Sequence, residues 1–549
     1  MVLDMEAIIS KTQAKRDTSI PEQWRLPKNA FDPESRPIDV FKQPGLLTDE
    51  ELEITGQNAV QVLEKIHSGS LSAVAATQAF AKRAAIAHQV VNCFTEFFPD
   101  EALKRAKELD DIFAKTGKPV GVLHGLPIAI KDMYDVAGHL TTVGYVSWHD
   151  NVASTDASLV KVMKDAGAVI FAKTTMPQTG MALETYSNLW GRTLNTYSTK
   201  FGSGGSSGGD GVLVGLRGAA AAPLASDIGG SIRAPAAFNG LYGMRPTSER
   251  IPRKGLRSTV PGQISIKTSC GPISHSMPDL KLLIKLILSH PSLPFEGSCP
   301  PGWWNEVETP KEKLRIGLIL TDGVVDPHPP VTRALKETAE KLKAAGHDVF
   351  EYKLPFDAWE AALTTWALYW QTGAAEANQF IASSGESPLL PYARNLEIFK
   401  TRALSTQELF AYNAKQLNYK WEFAQSWQDN TSSTDAGSSK AVDAIICPVA
   451  PAASIPHSFP VWWGYTSLWN LLDYPSVIVP VKDLVIDPIK DKKDLNYQPR
   501  DNPFDKDNWE VYDPELWKTQ PVTIQVVGRP YKDENLVAVA EVIDQVING

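Results

Sequence analysis

Glycine clustering between residues 202 and 230 constrains this chain more than any other feature of its sequence. Ten of the 37 glycines fall within these 29 of the 549 positions: Gly202, Gly204, Gly205, Gly208, Gly209, Gly211, Gly215, Gly218, Gly229 and Gly230. Total glycine usage is close to average for a globular protein, so the enrichment is local. Because glycine has no side chain, such a segment lets backbone N–H groups approach a ligand closely. We therefore expect the tract to form part of a binding or catalytic site.

Two serine-bearing blocks lie in this tract, GSGGSSGGD at 202–210 and DIGGSIRAP at 227–235. A phosphate cradle would use the same N–H groups. However, no GxxxxGK[ST] occurs, and Gly202, Gly204 and Gly208 only approach the GxGxxG spacing. A flexible linker is rarely interrupted by apolar runs such as 212–214 and 219–222, which we expect to be helical and buried. Both interpretations are therefore weak alternatives.

Two kinds of serine nucleophile also fit the tract. Residues 204–208 match GxSxG, the pattern of the α/β-hydrolase nucleophile elbow. The preceding residues 195–201 are mostly polar and do not supply the buried strand that this elbow requires. The downstream histidines nevertheless keep it open: His275, His290, His328, His347 and His457. The last interpretation is a serine nucleophile that is activated without histidine.

Apolar periodicity places the rest of the chain in the α/β class, in which helices and strands alternate. Three- and four-residue spacings predict helices over 48–97, in two pieces broken at 68–70, and over 101–114 with an end at Gly117. Short apolar runs predict buried strands, and the first of them ends at Lys131. The predicted strands are 126–130, 168–172, 314–320, 348–352, 444–448 and 476–481, with helices at 158–166 and 331–345.

Composition excludes several function classes. The net charge of −9 comes without a basic face, which argues against nucleic-acid binding. No apolar stretch approaches 18 residues, and the N-terminus lacks the basic start and long apolar run of a signal peptide, so we expect a cytoplasmic protein without membrane contact. No CxxC pair occurs among Cys93, Cys270, Cys299 and Cys447, which indicates neither a disulfide framework nor a cysteine metal site.

Three blocks in a fixed order resemble the amidase signature family, and the overall length and the tryptophan-bearing C-terminal half resemble its fungal acetamidase branch most. They are GLPIAIKD at 125–132 and the two serine-bearing blocks at 202–210 and 227–235. The resemblance implies that Ser231 is the nucleophile, that Ser206 bridges it to the base after a cis peptide bond from Gly205, and that Lys131 is the general base. It assigns no proton-transfer role to Ser207.

The same resemblance implies roles for residues around this triad. Backbone N–H groups of residues 228–231 would bind the oxyanion, and Gly180 would line the substrate site. Asp227 and Arg233 flank this loop, and we expect them to form an ion pair that supports its shape. The residues assigned to substrate binding are Ile228, Gly229, Gly230 and Gly180, and those assigned to structural support are Ser207, Asp227 and Arg233.

The resemblance also implies the architecture. We expect one large α/β domain over residues 1–549, with a central mixed sheet covered by helices. Residues 1–117 would form an N-terminal helical region and 118–250 the catalytic signature core. No metal and no organic cofactor is implied. The expected partner is a small-molecule amide, with a homodimer as a possible assembly.

The implied chemistry requires a lysine that is neutral. An unperturbed lysine has a pKa of about 10.4, so keeping Lys131 neutral at pH 7 costs roughly 4.6 kcal/mol. The apolar run at 126–130 would supply this by holding Lys131 inside the protein. The predicted reaction is hydrolysis of a small aliphatic or aryl-alkyl primary amide to an acid and ammonia, through an acyl-enzyme on Ser231.

Alternative functions and the substrate stay open at this point. A glutaminase-type subunit of a tRNA-dependent amidotransferase is the alternative within the superfamily, and a non-catalytic nucleotide-binding protein is the alternative outside it. The chain carries Thr175 where many relatives have Asn, and Thr196 where they have Pro. We expect both positions near the pocket, so the sequence defines the identity of the substrate less well than the type of reaction.

Overall fold

Eleven strands form one mixed sheet. The computed structural model describes residues 4–27, 29–289, 304–429 and 441–549, so Cys299 and His290 lie outside the described residues. The strands are β1 (Phe94–Phe97), β2 (Pro127–Lys131), β3 (Val169–Thr174), β4 (Tyr186–Ser187), β5 (Gly191–Arg192), β6 (Ala221–Asp227), β7 (Tyr242–Arg245), β8 (Ser269–Ser274), β9 (Arg315–Leu318), β10 (Asp348–Glu351), β11 (Ala444–Cys447), β12 (Ser476–Pro480) and β13 (Thr523–Val527). Their order in the sheet is β1-β3-β2-β6-β8-β7-β12-β13-β11-β9-β10, and β4 pairs only with β5.

Helices occupy much of the remaining described chain. The first half holds α1 (Met5–Thr18), α2 (Asp49–Gly56), α3 (Ala59–His67), α4 (Ala73–Val91), α5 (Pro99–Thr116), α6 (Ser158–Asp165), α7 (Gly208–Gly215), α8 (Arg233–Phe238) and α9 (Met277–Ser289). The second half holds α10 (Pro329–Ala344), α11 (Ala358–Tyr369), α12 (Ala375–Ser383), α13 (Leu390–Ile398), α14 (Thr406–Asp429), α15 (Gly464–Leu472), α16 (Pro503–Val511), α17 (Pro514–Trp517) and α18 (Asp533–Asn548). Within the described ranges, no helix is both long enough and apolar enough to cross a membrane.

Both faces of the sheet are buried. Ile445 and Ile446 are neighbours in β11, yet they belong to different apolar clusters because successive side chains of a strand point to opposite faces. One cluster includes side chains from α3, α6, α9, α10 and α18, and the other includes side chains from α8, α11, α14 and α15. The predicted α/β domain with a central mixed sheet is therefore confirmed.

Most predicted elements are present, with three differences. The helical piece before residue 68 is two helices, because α2 ends at Gly56 and Asn58 caps α3. Residues 94–97 form β1, an edge strand that pairs with β3, and not the end of a helix. The alanine run 219–222 does not form a helix: it leads into β6, which is buried between β2 and β8. There, packing between neighbouring strands outweighs the helix propensity of alanine.

The sheet joins the two halves of the chain. Strand β12, from the C-terminal half of the chain, pairs antiparallel with β7, opposite Arg245, Met244 and Gly243. At the other side of the site, β2 lies parallel between β3 and β6, and Lys131 is in register with Thr174. Carboxyl ends of parallel strands meet at one edge of a sheet, so the ends of β2, β3 and β6 converge.

Candidate active site

Lys131 is the last residue of β2, and its side chain is fully buried. Its Nζ atom lies 2.8 Å from each of three hydroxyl oxygens, those of Ser206, Ser207 and Ser226. Burial lowers the pKa of the Lys131 ammonium, against the opposing attraction of nearby carboxylates, of which Asp210 is the strongest. A buried amine with a lowered pKa and a hydroxyl in contact is able to act as a base near neutral pH.

The adjacent serines lie on the segment that leads into α7. The Gly205–Ser206 peptide bond is cis, as the resemblance implies. The segment passes so close to the backbone of 182–184 that a Cβ on Gly205 would overlap the carbonyl oxygen of Ala182. Close packing therefore explains this glycine, and it places both serine hydroxyls beside Lys131.

The hydroxyls of Ser207 and Ser226 each have a hydrogen-bond acceptor besides Lys131. Ser226 Oγ lies 2.9 Å from the sulfur of Met133, and Ser207 Oγ lies 3.3 Å from the backbone carbonyl of Ser226. Both can donate their protons to these acceptors. The hydroxyl proton of Ser206 is then the one that is left to point at the lysine nitrogen.

Ser231 follows the second glycine pair, and it lines the same cavity as Ser206. The N–H of Ser207 donates to the carbonyl of Ser231 at 3.2 Å, which connects the two serine blocks through their backbones. The Ser231 hydroxyl has no hydrogen-bond partner within the described ranges. It is therefore available to a molecule in the cavity.

The expected ion pair between Asp227 and Arg233 is present and completely buried. It is bidentate, with Nε to Oδ2 and Nη2 to Oδ1 both at 2.9 Å. Burial by itself raises the pKa of Asp227, but the Arg233 guanidinium outweighs it and holds that pKa well below its usual range. Asp227 also accepts from the N–H groups of Gly230 and Ile232, at 2.8 and 3.1 Å. The pair therefore fixes the shape of the 228–231 loop.

The Gly230 N–H is one of the groups expected to bind the oxyanion, but in the structure it already donates to Asp227. The N–H groups of Ile228, Gly229 and Ser231 have no acceptor in the part of the chain that the structure describes, so they can bind a ligand. The glycine at position 230 is explained by its φ of 129° and by its neighbour, since a Cβ would lie 2.5 Å from Thr466 Oγ1.

Several residues of the site were missed by the sequence analysis. Tyr369, at the end of α11, donates its hydroxyl proton to the Ile228 carbonyl at 2.6 Å. Thr466 on α15 donates to the Gly229 carbonyl at 2.7 Å. No motif marks these C-terminal positions. Ser226 and Asp210 are also missed, although both lie inside or beside the serine-bearing blocks.

A cavity of about 540 Å³ opens onto the serines. Its apolar walls come from both halves of the chain, and Gly180 is in the lining. The side chains of Trp148 and Phe380 meet edge to face there, with ring centroids 5.1 Å apart. The apolar lining residues include Met133, Val143, Trp148, Met181, Tyr369 and Phe380.

The two positions that depart from the family pattern do not line this cavity. Thr175 Oγ1 lies 2.7 Å from Thr193 Oγ1, and Thr196 Oγ1 donates to Asn239 Oδ1 at 2.8 Å. Both threonines are buried among polar groups that pack around α7. Their side chains therefore serve internal packing and do not line the cavity.

The geometry also decides between the earlier interpretations of the glycine tract. Ser206 contacts Lys131, and no histidine in the described ranges is hydrogen-bonded to Ser206 or Ser231; His457, for example, contacts the Thr199 carbonyl at 2.7 Å. Gly208 and Gly209 belong to α7, where Gly208 packs against Thr185 and Ser203, and Gly209 packs against Thr175 and the Cys93 carbonyl. Among described residues, no group of three His, Cys, Asp or Glu side chains could hold a metal ion.

Comparisons with known proteins show what the chain as a whole is similar to. Residues 75–537 match the sequence model of the amidase family. An amidase of Gibberella zeae is 48% identical over 549 residues, covering 100% of both chains. An acetamidase of Emericella nidulans is 37% identical, covering 99% of this chain and 98% of the other. The solved structure of a fatty acid amide hydrolase superposes with a TM-score of 0.93 at 32% identity, covering 100% of this chain and 97% of that one.

Proposed function

This chain belongs to the amidase family and is an amide hydrolase, and from that premise we propose that it forms an acyl-enzyme on Ser231, with Ser206 and Lys131 as the proton relay. The observation that carries the proposal is the contact of buried Lys131 with three serine hydroxyls, only one of which lacks another acceptor. A neutral Lys131 donates its two N–H bonds to Ser207 and Ser226. Its lone pair then accepts the proton of Ser206.

Acylation begins with proton transfer along this relay. Ser206 gives its proton to Lys131 and takes the proton of Ser231, whose oxygen attacks the amide carbon. The C–O bond forms as the carbonyl π electrons move to oxygen. The N–H groups of Ile228, Gly229 and Ser231 bind the resulting oxyanion. Collapse of this intermediate breaks the C–N bond, and the Lys131 proton returns through Ser206 to the leaving ammonia.

Deacylation uses the same groups in the same order. A water molecule replaces ammonia, gives a proton to Ser206 as Ser206 protonates Lys131, and attacks the acyl carbon. The Ser231 oxygen leaves and recovers its proton from Ser206, which takes its own proton back from Lys131. Asp227 and Arg233 keep the donor loop in place throughout and take no proton.

The cavity supports an aryl-alkyl primary amide as the substrate. A volume of about 540 Å³ lies within the roughly 300–1,000 Å³ of pockets that hold drug-sized ligands, and acetamide would fill little of it. Trp148 and Phe380 offer aromatic faces and edges to a phenyl group. The acyl chain would extend towards these rings, with the amide carbon at Ser231.

Fluorophosphonate labelling tests the mechanism. The purified chain is labelled, digested and mapped, and we expect the adduct on Ser231. An adduct on Ser206 would contradict the relay and support a nucleophile elbow. Ser231→Ala should abolish labelling.

A substrate series tests the specificity. We expect kcat/KM to rise from acetamide to 3-phenylpropionamide, measured by ammonia release from the chain alone. Preference for L-glutamine, or activity only with added partner subunits and tRNA, would instead support the glutaminase alternative.

A further inference from the structure

We propose that Asp210 is a positioning residue that supplies a buried countercharge for Lys131 and thereby sets the pH range in which the lysine works as a base. The inference rests on the proposed role of Lys131. Asp210 occupies the first turn of α7, four positions after Ser206, and its side chain is fully buried. It was not among the residues predicted for the site, and the serine relay does not use it.

Asp210 is held in place through the strand next to Lys131. Thr174 ends β3 and is in register with Lys131 in β2. The Thr174 hydroxyl donates to Asp210 Oδ1 at 2.8 Å. The backbone supports the same arrangement, since the N–H of Gly209 donates to the Thr175 carbonyl at 3.2 Å. The carboxyl group is therefore fixed beside the buried end of β2.

The second carboxyl oxygen has no partner. Asp210 Oδ2 is buried without a hydrogen bond in the described part of the chain. An unpartnered buried anionic oxygen is costly unless a positive charge compensates it or a proton neutralises it. Lys131 is the strongest charge acting on Asp210, and Asp210 is the strongest acting on Lys131. Their mutual attraction acts through space, because every hydrogen bond of the Lys131 Nζ atom goes to a serine.

The other charged groups near this pair have partners of their own. Asp227 is paired with Arg233. Asp132 at the end of β2 accepts from the backbone of the 142–143 loop, and Lys173 is the strongest charge acting on it. Burial raises the pKa values of the Cys93 thiol and the Tyr134 hydroxyl, which therefore stay neutral. Cys270 on β8 is a further titratable group that acts electrostatically on Lys131.

The proton cycle shows what the countercharge does. Lys131 gains a proton when Ser231 attacks, and it is positive while the oxyanion exists. An anionic Asp210 stabilises that ammonium, whereas a protonated Asp210 does so much less. Burial raises the pKa of the Asp210 carboxyl and the charge of Lys131 lowers it, so the two groups titrate together. The same attraction makes Lys131 a stronger base than burial alone would leave it.

Replacing the carboxylate should move the pH profile. In Asp210→Asn, Lys131 loses its strongest attraction, so its ammonium is less stable. A single neighbouring charge shifts a pKa by about 1 to 3. We expect the acidic limb of kcat/KM to move to lower pH by about one pH unit or more. The alkaline plateau should fall by about tenfold, because the lysine is a weaker base.

The pH dependence of fluorophosphonate inactivation gives an independent readout. Inactivation requires activation of Ser231 but no leaving ammonia. The acidic limb of its pH profile should therefore move together with the acidic limb of hydrolysis. Thr174→Val, which removes only the hydrogen bond to Oδ1, should shift both limbs in the same direction by a smaller amount. This second variant keeps the test decisive if the asparagine variant does not fold, as judged by circular dichroism.

Asp279→Asn is a matched control. Asp279 is also fully buried, accepts a backbone N–H from Val60 at 2.9 Å, and has an unpartnered Oδ2. It is not among the groups that act on Lys131. Its replacement should lower thermal stability and leave both limbs in place.

The outcomes separate the two proposals. If the Asp210 and Thr174 variants lose activity while their limbs stay at the wild-type pH, the countercharge role is overturned and Asp210 is only structural. If wild-type Ser231 is not labelled, or if Lys131→Met retains the acidic limb, the serine-lysine relay itself fails.

Discussion

The hydroxyl of Tyr369 donates a 2.6 Å hydrogen bond to the backbone carbonyl of Ile228, which lies 141 positions earlier in the chain. This bond fixes the start of the loop that carries the free N–H groups of Ile228, Gly229 and Ser231 among the described residues. The C-terminal half, which carries none of the recognisable motifs, therefore holds the proposed oxyanion site in shape. Thr466 does the same for the next carbonyl, that of Gly229.

Tyr369→Phe should lower kcat by about tenfold, the equivalent of a hydrogen bond worth roughly 1.4 kcal/mol, with little change in KM. The reason is that the loop binds the oxyanion more than the ground-state amide. Tyr512→Phe is the control, since Tyr512 makes a buried 2.6 Å bond to the Asp491 carbonyl away from the site. Equal losses of kcat in both variants would contradict a specific role for Tyr369.

Ser206→Ala and Ser207→Ala form a matched pair. Both serines contact Lys131 at 2.8 Å, but only Ser206 lacks another acceptor for its proton. We expect kcat to fall by about 10³-fold for Ser206→Ala, within the range for loss of a proton-transfer group, and by about tenfold for Ser207→Ala. Steady-state kinetics with one primary amide measures both. A larger loss of kcat in Ser207→Ala than in Ser206→Ala would assign the proton relay to Ser207 instead of Ser206.

The wild-type pH profile follows from the state of Lys131. The neutral amine is the active base, so kcat/KM should rise with pH as the ammonium loses its proton. Burial lowers the pKa of Lys131, which places this rise well below pH 10.4. Lys131→Met should lower kcat/KM by at least about 10²-fold and remove the limb. If the acidic limb of kcat/KM is unchanged in Lys131→Met, another group is responsible for it.

Arg233→Met should destabilise the fold by about 3–5 kcal/mol at pH 7, because it leaves Asp227 buried without its cation. The depressed pKa of Asp227 stabilises the wild type above the unfolded value of about 3.9. That contribution is lost as pH falls through the folded value. The Tm difference between wild type and variant should therefore shrink in acid, as measured by calorimetry. Arg402→Met, which removes an exposed pair with Glu408, should change Tm little.

Phe380→Ala should reduce discrimination between substrates. Phe380 packs edge to face on Trp148 in the cavity wall, and such a pair contributes about 0.5–1.5 kcal/mol beyond its buried area. We expect kcat/KM for 3-phenylpropionamide to fall by about tenfold while that for acetamide is unchanged. Parallel losses for the two amides would show that the aromatic wall does not contact the acyl group.

Local patterns predicted the secondary structure that surrounds the site. The apolar run ending at Lys131 is β2, and the run at 168–172 overlaps β3 in all but its first residue. Gly117 ends α5 in the left-handed conformation, as its position after the last apolar residues indicates. The alanine run was misassigned because alanine favours helices in isolation, whereas the interior of this sheet accepts any small apolar side chain.

The sequence alone determined the family, the fold class and the residues proposed for the serine-lysine relay, because these depend on short blocks whose spacing is visible along the chain. Only the tertiary structure decided which groups surround them. In that structure the Gly230 N–H donates to Asp227, and Thr175 and Thr196 do not line the cavity. Tyr369 and Asp210 lie at the site. The physical reason is that hydrogen bonding and charge depend on distance in space. The contacts join residues from 3 to 141 positions apart, and separations that vary so widely leave no periodicity in the sequence.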